Sequence, residues 1–425
     1  MTIPELYQVY LQYQSVQTDT RKLKQGDLFF ALKGPSFNGN EFAKQALDAG
    51  AAYAIIDEKD FFVEGKTILV DDVLTALQDL SLHHRMQFDI PFIAITGSNG
   101  KTTTKELIHA VLSSTFKTST TVGNLNNHIG VPLTLLSIPP GTEMAVVEMG
   151  ANHQGEIASY CAYTRPTHGL ITNCGKAHLE GFGGVEGVKK GKGELFAYLR
   201  SNNGIAFIMN DYEYLHDLSK GIDKIYSYGT ENADVAGKAL EGEQFLSVKF
   251  SKGFEGTIKT NLVGNYNLPN VLAAVAVGKY FGVKDELVKN SIEAYLPSNS
   301  RSQLLEKGNT KIILDAYNAN PSSMKLAIEN LAGMDASKKI LVLGAMAELG
   351  NESLEEHKNI VDTIAKFNWT EVVLVGGDFL KIPHPFKAFS NAAEAGDYLK
   401  GKVDDAYLLV KGSRSMQMEK LLNYL

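Results

Sequence analysis

Residues 92–104 read FIAITGSNGKTTT, and no other stretch constrains the fold of this chain so strongly. An apolar run, Phe92 to Ile95, enters a turn flanked by Gly97 and Gly100, and Lys101 and Thr102 follow. A helix is expected from Thr103 to Leu112. Strand, glycine turn, Lys-Thr and helix together make a phosphate cradle. Glycine lets backbone N–H groups approach an anion closely, and the helix start adds partial positive charge. In that reading Gly97, Ser98, Asn99, Gly100, Lys101, Thr102 and Thr103 contact ATP. Lys101 reaches the β/γ-phosphates, and the Thr102 hydroxyl ligates Mg²⁺. Only Ser98 and Asn99 separate the two glycines, so this is not a verbatim Walker A motif. A strand feeding such a loop also predicts a parallel α/β sheet with ligands at its carboxyl edge.

The 425 residues suggest about three domains. Residues 1–88 alternate short strands (28–32, 52–56, 67–70) with helices (41–49, 73–87). Residues 89–298 hold the phosphate loop, further strands at 145–149, 170–173 and 205–209, a β-rich insertion at 225–262, and a helix over 269–280. Residues 299–425 repeat the alternation, with strands at 312–316, 340–343, 372–375 and 406–410, which predicts a small doubly wound domain. The net charge of −7 argues against a nucleic-acid partner, because a phosphate polymer favours a basic surface. Cys161 and Cys174 form no disulfide framework and fit free thiols in a reducing cytoplasm. No run is apolar enough to span a membrane, and the N-terminus lacks a signal-peptide pattern.

Several other positions carry chemistry. Glu148 ends the run AVVEM, where a carboxylate could hold Mg²⁺ beside the phosphate loop or simply face solvent. His178 follows another strand. By spacing alone, Lys189, Lys190 and Lys192 read as a solvated basic helix face. In GNYNLPN, Asn270 could bind adenine, but amides at a helix entry also serve as caps. Asp315 overlaps a strand end where Asp and Asn suit a ligand or a turn, and Arg301 could neutralise a phosphate.

Taken in order, TGSNGKTTT, TVGNLNNHIGVPL, VEMGANHQGEI, ITNCGKAHLEGFG with KGKGELF, GNYNLPNVLAA, DAYNANPSSM, LGAMAELGNESLEEH and VKGSRSMQME resemble the Mur ligases across essentially the whole chain. These are ATP-dependent amide-forming enzymes of peptidoglycan synthesis. The resemblance implies a UDP-substrate domain, a central P-loop ATPase domain and a C-terminal Rossmann-like domain that closes over the site. It implies a UDP-N-acetylmuramoyl-tripeptide acceptor, D-alanyl-D-alanine as the amine, an acyl-phosphate intermediate, and a cytoplasmic, monomeric enzyme. Lys101, His178 and Lys192 then become catalytic. Thr102 and Glu148 resemble ligands of one Mg²⁺, and His178 a ligand of a second. Lys192 resembles the lysine that many members carbamylate, which reverses its solvated reading and makes it a metal ligand as the carbamate. Asn270, Arg301 and Asp315 resemble adenine, phosphate and ribose contacts. Asn124, Asn127, Asn152 and His153 are expected on the muramoyl-peptide side. Thr20 and Arg21 match an Asp-Ser-Arg element of the first domain, with Thr for Ser, and Asn40 stands where many members carry His as a uridine contact. Another muramyl-peptide or folylpolyglutamate ligase is the nearest alternative. A P-loop kinase or motor ATPase is the alternative from a different class.

Overall fold

The computed structural model describes residues 1–298 and 300–425 as three α/β units around three main sheets. The expected junction at 298/299 abuts Asn299, which lies outside the described residues.

The first unit carries a four-stranded parallel sheet ordered Val16–Gln17, Leu28–Phe30, Tyr53–Ile56 and Thr67–Leu69. Its two inner strands, Leu28–Phe30 and Tyr53–Ile56, are short apolar runs buried on both faces, as a parallel sheet requires. One face is covered by the helices Ile3–Tyr13 and Val73–Arg85, through Leu6, Tyr7, Tyr10, Leu77 and Leu80. That same core takes in Leu136, Ile129 and Leu133 of the second unit, so the two units share apolar packing. Arg85 pins them further. Its guanidinium donates to the carbonyls of Thr164 and Arg165 and stacks 3.6 Å over the Phe92 ring. The expected helix over 41–49 is a 3₁₀ turn, Gly39–Phe42, followed by a shorter helix, Ala43–Asp48.

The second unit has a nine-stranded sheet. Strands Lys224–Gly229, Ile205–Met209, His168–Ile171, Phe92–Thr96, Met144–Glu148 and Thr118–Thr120 lie side by side, all parallel. The insertion adds Val235–Ala239 in parallel and Ser247–Lys252 and Thr257–Lys259 in antiparallel fashion beyond one edge. The phosphate loop follows a strand in the middle of this sheet, so the loop stands on a fully buried base. The helix Leu268–Tyr280 is apolar almost all round and buried, packed against the helix Lys101–Ser113.

The third unit is a six-stranded sheet ordered Gln303–Lys307, Thr310–Asp315, Tyr407–Lys411, Lys339–Gly344, Glu371–Val375 and Lys387–Phe389. The four inner strands match the sequence expectation and are parallel. Sequence reading missed both edge strands. Gln303–Lys307 is half polar and Lys387–Phe389 spans only three residues, the two forms in which edge strands avoid further pairing.

Candidate active site

The apolar strand Phe92–Thr96 ends in Gly97, at φ 142°, where a Cβ would stand 2.0 Å from Thr172 Oγ1. Gly100, at φ 79°, is equally closed to a side chain, because a Cβ there would stand 2.6 Å from Asn270 Oδ1. The helix then starts at Lys101, earlier than its expected start at Thr103. Ser98 donates its N–H to Asn173 O at 2.9 Å, and Asn99 donates its own to Asn173 Oδ1 at 3.0 Å. Those two amides are therefore committed to Asn173, in the segment after strand His168–Ile171, contrary to a cradle that uses every loop N–H. The open donors are those of the helix start, Gly100 to Thr103, which face a cavity of about 970 Å³. Lys101 folds back over the loop, and its Nζ donates to Gly97 O at 2.7 Å and Ser98 O at 3.2 Å. Burial lowers its pKa, and the nearby Glu148 carboxylate opposes that fall.

Glu148 is 1% exposed at the end of strand Met144–Glu148. Its Oε1 accepts from Asn126 Nδ2 at 2.7 Å, while Oε2 is buried with no hydrogen-bond partner. A buried carboxylate oxygen without a partner costs stability unless a cation or donor meets it. The Thr102 hydroxyl, also buried, lines the same cavity. Mg²⁺ accepts one or two carboxylates plus substrate phosphates and does not need an all-protein cage. Among the described residues no cluster of three or more His, Cys, Asp or Glu could form such a cage. The donor set here therefore fits Mg²⁺ carried with a nucleotide.

His178 sits in the left-handed region at φ 52°, and its Nδ1 lies 2.6 Å from Glu348 Oε2. Glu348 is itself at φ 63°, and the His178 beside it holds its carboxyl below the ordinary range. Positive φ at two non-glycine residues in contact is strain of the kind that collects at functional sites. The pair joins the second and third units.

Lys192 lies on the helix Val185–Ser201, 1% exposed, with Nζ donating to Ala151 O at 2.8 Å and standing 4.8 Å over the Phe182 ring. Burial, reinforced by the Lys101 charge, pushes its ammonium down from 10.5 to about 7. It stands behind Ala151 and is not itself a cavity wall. Lys189, on the same helix, pairs with Glu186 at the surface.

The remaining expected residues are placed differently from one another. Asn124, Asn127 and Asn152 line the cavity, and Asn127 Oδ1 also caps the helix Gly130–Leu136. His153 is exposed beside Gly181 and outside the cavity wall. Arg301 and Asp315 line the cavity from the third unit. Arg301 stacks 3.6 Å over Tyr317, and Asp315 Oδ2 pairs with Lys411 Nζ at 2.5 Å. Asn270 reaches the wall, but its amide is engaged, with Oδ1 accepting from Thr104 and Nδ2 donating to Asn267. It braces the phosphate loop from behind. In the first unit Arg21 is exposed and doubly hydrogen-bonded to Asp19, beside Thr20 and away from the cavity. Asn40 is engaged within its own unit. It is 0% exposed, its Nδ2 donates to both Asn38 and Asp57, and its Oδ1 accepts from Asp57 N. Both amide hydrogens are thereby committed, which leaves one acceptor lone pair on Oδ1.

Sequence reading did not single out Asn126, Asn320, Glu348 or Lys411. All four lie inside motifs quoted above, but nothing in local spacing says that they meet the cavity from different units.

Three family descriptions cover this chain in succession: the Mur ligase catalytic domain over residues 12–85, the Mur ligase middle domain over 95–278, and the Mur ligase glutamate ligase domain over 300–414. The chain belongs to the Mur ligase family. Within it, the chain is 37% identical to a Bacillus subtilis protein named UDP-N-acetylmuramoyl-tripeptide–D-alanyl-D-alanine ligase, over 96% of this chain and 92% of that one. The crystal structure of MurF from Acinetobacter baumannii matches with a TM-score of 0.88 and 31% identity, covering 98% of this chain and 97% of that one. MurF from Thermotoga maritima in complex with ADP matches with a TM-score of 0.87 and 27% identity, each chain covered to 97%. No helix among the described residues is long and apolar enough to cross a membrane.

Proposed function

We propose that this chain is an ATP-dependent ligase that joins D-alanyl-D-alanine to UDP-N-acetylmuramoyl-tripeptide, releasing ADP and phosphate and giving the pentapeptide precursor of peptidoglycan. The observation that carries the ligase reading is one cavity onto which the phosphate loop, the buried Glu148 carboxylate and the third unit all open. The full-length likeness to ligases of that name supports the choice of substrates.

In this reading residues 1–88 hold the UDP end, with Thr20 and Arg21 near it. Residues 89–298 bind ATP, and residues 299–425 close the site and present the amine. Lys101 and the amides of Gly100 to Thr103 hold the phosphates in line. Thr102 and Glu148 hold one Mg²⁺ and His178 a second. Mg²⁺ bound there offsets the repulsion between ATP and a second anionic substrate. A carboxylate oxygen of the tripeptide attacks the γ-phosphorus, and the bond to ADP breaks. The amine then attacks the acyl carbon through a tetrahedral intermediate, and phosphate leaves. Asn124, Asn127 and Asn152 orient the muramoyl peptide, while Arg301 and Asp315 meet the nucleotide from the third unit. That unit excludes water, which would otherwise hydrolyse the acyl phosphate. Near neutral pH a large fraction of Lys192 is uncharged, and only the free amine reacts with CO₂. The resulting carbamate would put an anion, rather than a competing ammonium, behind Ala151 at the back of the site. A cytoplasmic, monomeric enzyme completes the reading.

The test is phosphate release from ATP with the UDP-tripeptide, with and without D-alanyl-D-alanine, followed by mass analysis of the product. A pentapeptide formed only when both are present is the expected result. Phosphate release with another amine, or transfer of phosphate without amide formation, would replace the reading.

A further inference from the structure

The phosphate loop is also an interface. Asn99 is held by its backbone, with its N–H donated to Asn173 Oδ1 and its carbonyl accepting from Thr172 Oγ1 at 2.6 Å and from Asn173 Nδ2 at 3.1 Å. With the backbone so fixed, the side chain projects in one direction, toward the third unit. There its Oδ1 accepts from Asn320 Nδ2 at 2.7 Å.

Asn320 is fixed just as firmly. It is the N-cap of the helix Pro321–Gly333, its Oδ1 accepting from Ser323 N at 3.0 Å while its own N–H donates to Ser323 Oγ at 3.1 Å. Proline at the next position presets the first helical turn. The cap consumes the oxygen of the amide and leaves its NH₂ to point across the boundary. Two residues after Asn320, Ser322 Oγ accepts from Lys176 N at 3.0 Å. Gly175 makes that approach possible, since a Cβ there would already stand 3.0 Å from Ser322 Oγ. The first turn of one helix thus rests on the phosphate loop and on the segment after strand His168–Ile171. Asn99, Asn320 and Ser322 all line the 970 Å³ cavity beside Gly100, Lys101 and Thr102.

We propose that Asn320 is a positioning residue that couples nucleotide binding to seating of the third unit, by hydrogen-bonding the phosphate-loop residue Asn99 while capping its own helix. The coupling is reciprocal. A loop held in its phosphate-binding shape presents Asn99 to Asn320, and a seated third unit holds the loop in that shape. The inference rests on the nucleotide role of the loop proposed above.

Asn320→Ser separates the two duties of the residue. Serine caps helices about as well as asparagine but is too short to reach Asn99. Asn99→Ala removes the acceptor from the other side. The probe is a non-hydrolysable ATP analogue with Mg²⁺ added to the full chain, read by calorimetric affinity and by the radius of gyration in solution scattering. In Asn320→Ser we expect affinity roughly three- to tenfold weaker, the range of one hydrogen bond, with compaction on nucleotide addition reduced and melting temperature unchanged. The double variant should be no weaker than the worse single variant, because both remove the same contact. Wild-type affinity and compaction in Asn320→Ser would overturn the proposal, as would losses that multiply in the double variant. If the unmodified chain binds no analogue, the nucleotide reading of the loop falls instead.

Discussion

Replacing Lys192 by methionine gives the sharpest test of the site's electrostatics. The side chain is 1% exposed, so solvent screening does not dilute the effect. Its ammonium falls from 10.5 to about 7 on folding. Above about pH 10.5 the amine is neutral in both states and the lysine costs nothing. As the pH drops from 10.5 to 7 the unfolded chain takes up a proton that the folded chain resists, so stability falls. Below about 7 both states are protonated and the penalty is complete, at about 5 kcal/mol. By the same linkage the penalty is about 4 kcal/mol at pH 7 and about 2 kcal/mol at pH 9. Methionine fills a similar volume without the charge but forfeits the hydrogen bond to Ala151 O, worth roughly 1 kcal/mol at any pH. The variant should therefore be more stable than wild type by about 3 kcal/mol at pH 7, and by about 1 kcal/mol at pH 9. Urea unfolding of both proteins in CO₂-free buffer at pH 7, 8 and 9 measures the gap. The variant should also lose amide formation. A gap that stays constant from pH 7 to 9 would refute the argument, because a buried lysine held near neutrality cannot produce it.

Three other substitutions test separate parts of the site. Glu148→Gln keeps the Asn126 contact and replaces the unpartnered Oε2 by an amide nitrogen, so the fold should hold while ATP-dependent phosphate release falls by at least about 100-fold; retained turnover would discard Glu148 as a metal ligand. Gly97→Ala would drive a Cβ to 2.0 Å from Thr172 Oγ1 at a φ of 142°, so nucleotide affinity measured by calorimetry should collapse, whereas Gly333→Ala, with nothing within 4 Å and no positive φ, should leave it near wild type. Asn40→Ala should lower stability by about 2 kcal/mol in a denaturant titration, because it strips partners from the buried side chain of Asp57, and a UDP-binding defect without that loss would make Asn40 a ligand contact instead.

Much of the fold was legible because parallel strands buried on both faces write themselves as unbroken apolar runs. Phe92 to Ile95, Ala145 to Val147 and Ile340 to Leu343 are such runs, and each is a strand. The signal fades at sheet edges, where no residue of Gln303–Lys307 is fully buried, and in the first unit, where Gly39–Phe42 tightens into a 3₁₀ turn. The helix Ile3–Tyr13 was also missed, although proline at its start and Thr2 with Glu5 spell a capping box. The phosphate loop was legible for a different reason, since its glycines, lysine and threonine are contiguous and their geometry is local.

What the sequence did not disclose is where side chains from different units meet. Glu348 stands far along the chain from His178, and Asn320 from Asn99, yet each pair is in contact across the cavity. Lys192 shows the same limit. Its helix carries three lysines of similar spacing, and nothing in the string distinguishes the one that is buried behind Ala151 from the one paired with Glu186 at the surface. Burial alone separates them. It raises the energy of an ammonium in the interior and leaves the exposed one at its usual charge, so one helix carries a buried amine of lowered pKa and a solvated cation three residues apart. Contacts of this kind follow from how the sheets pack, and that packing is what brings the phosphate loop, the buried carboxylate and the third unit onto one cavity.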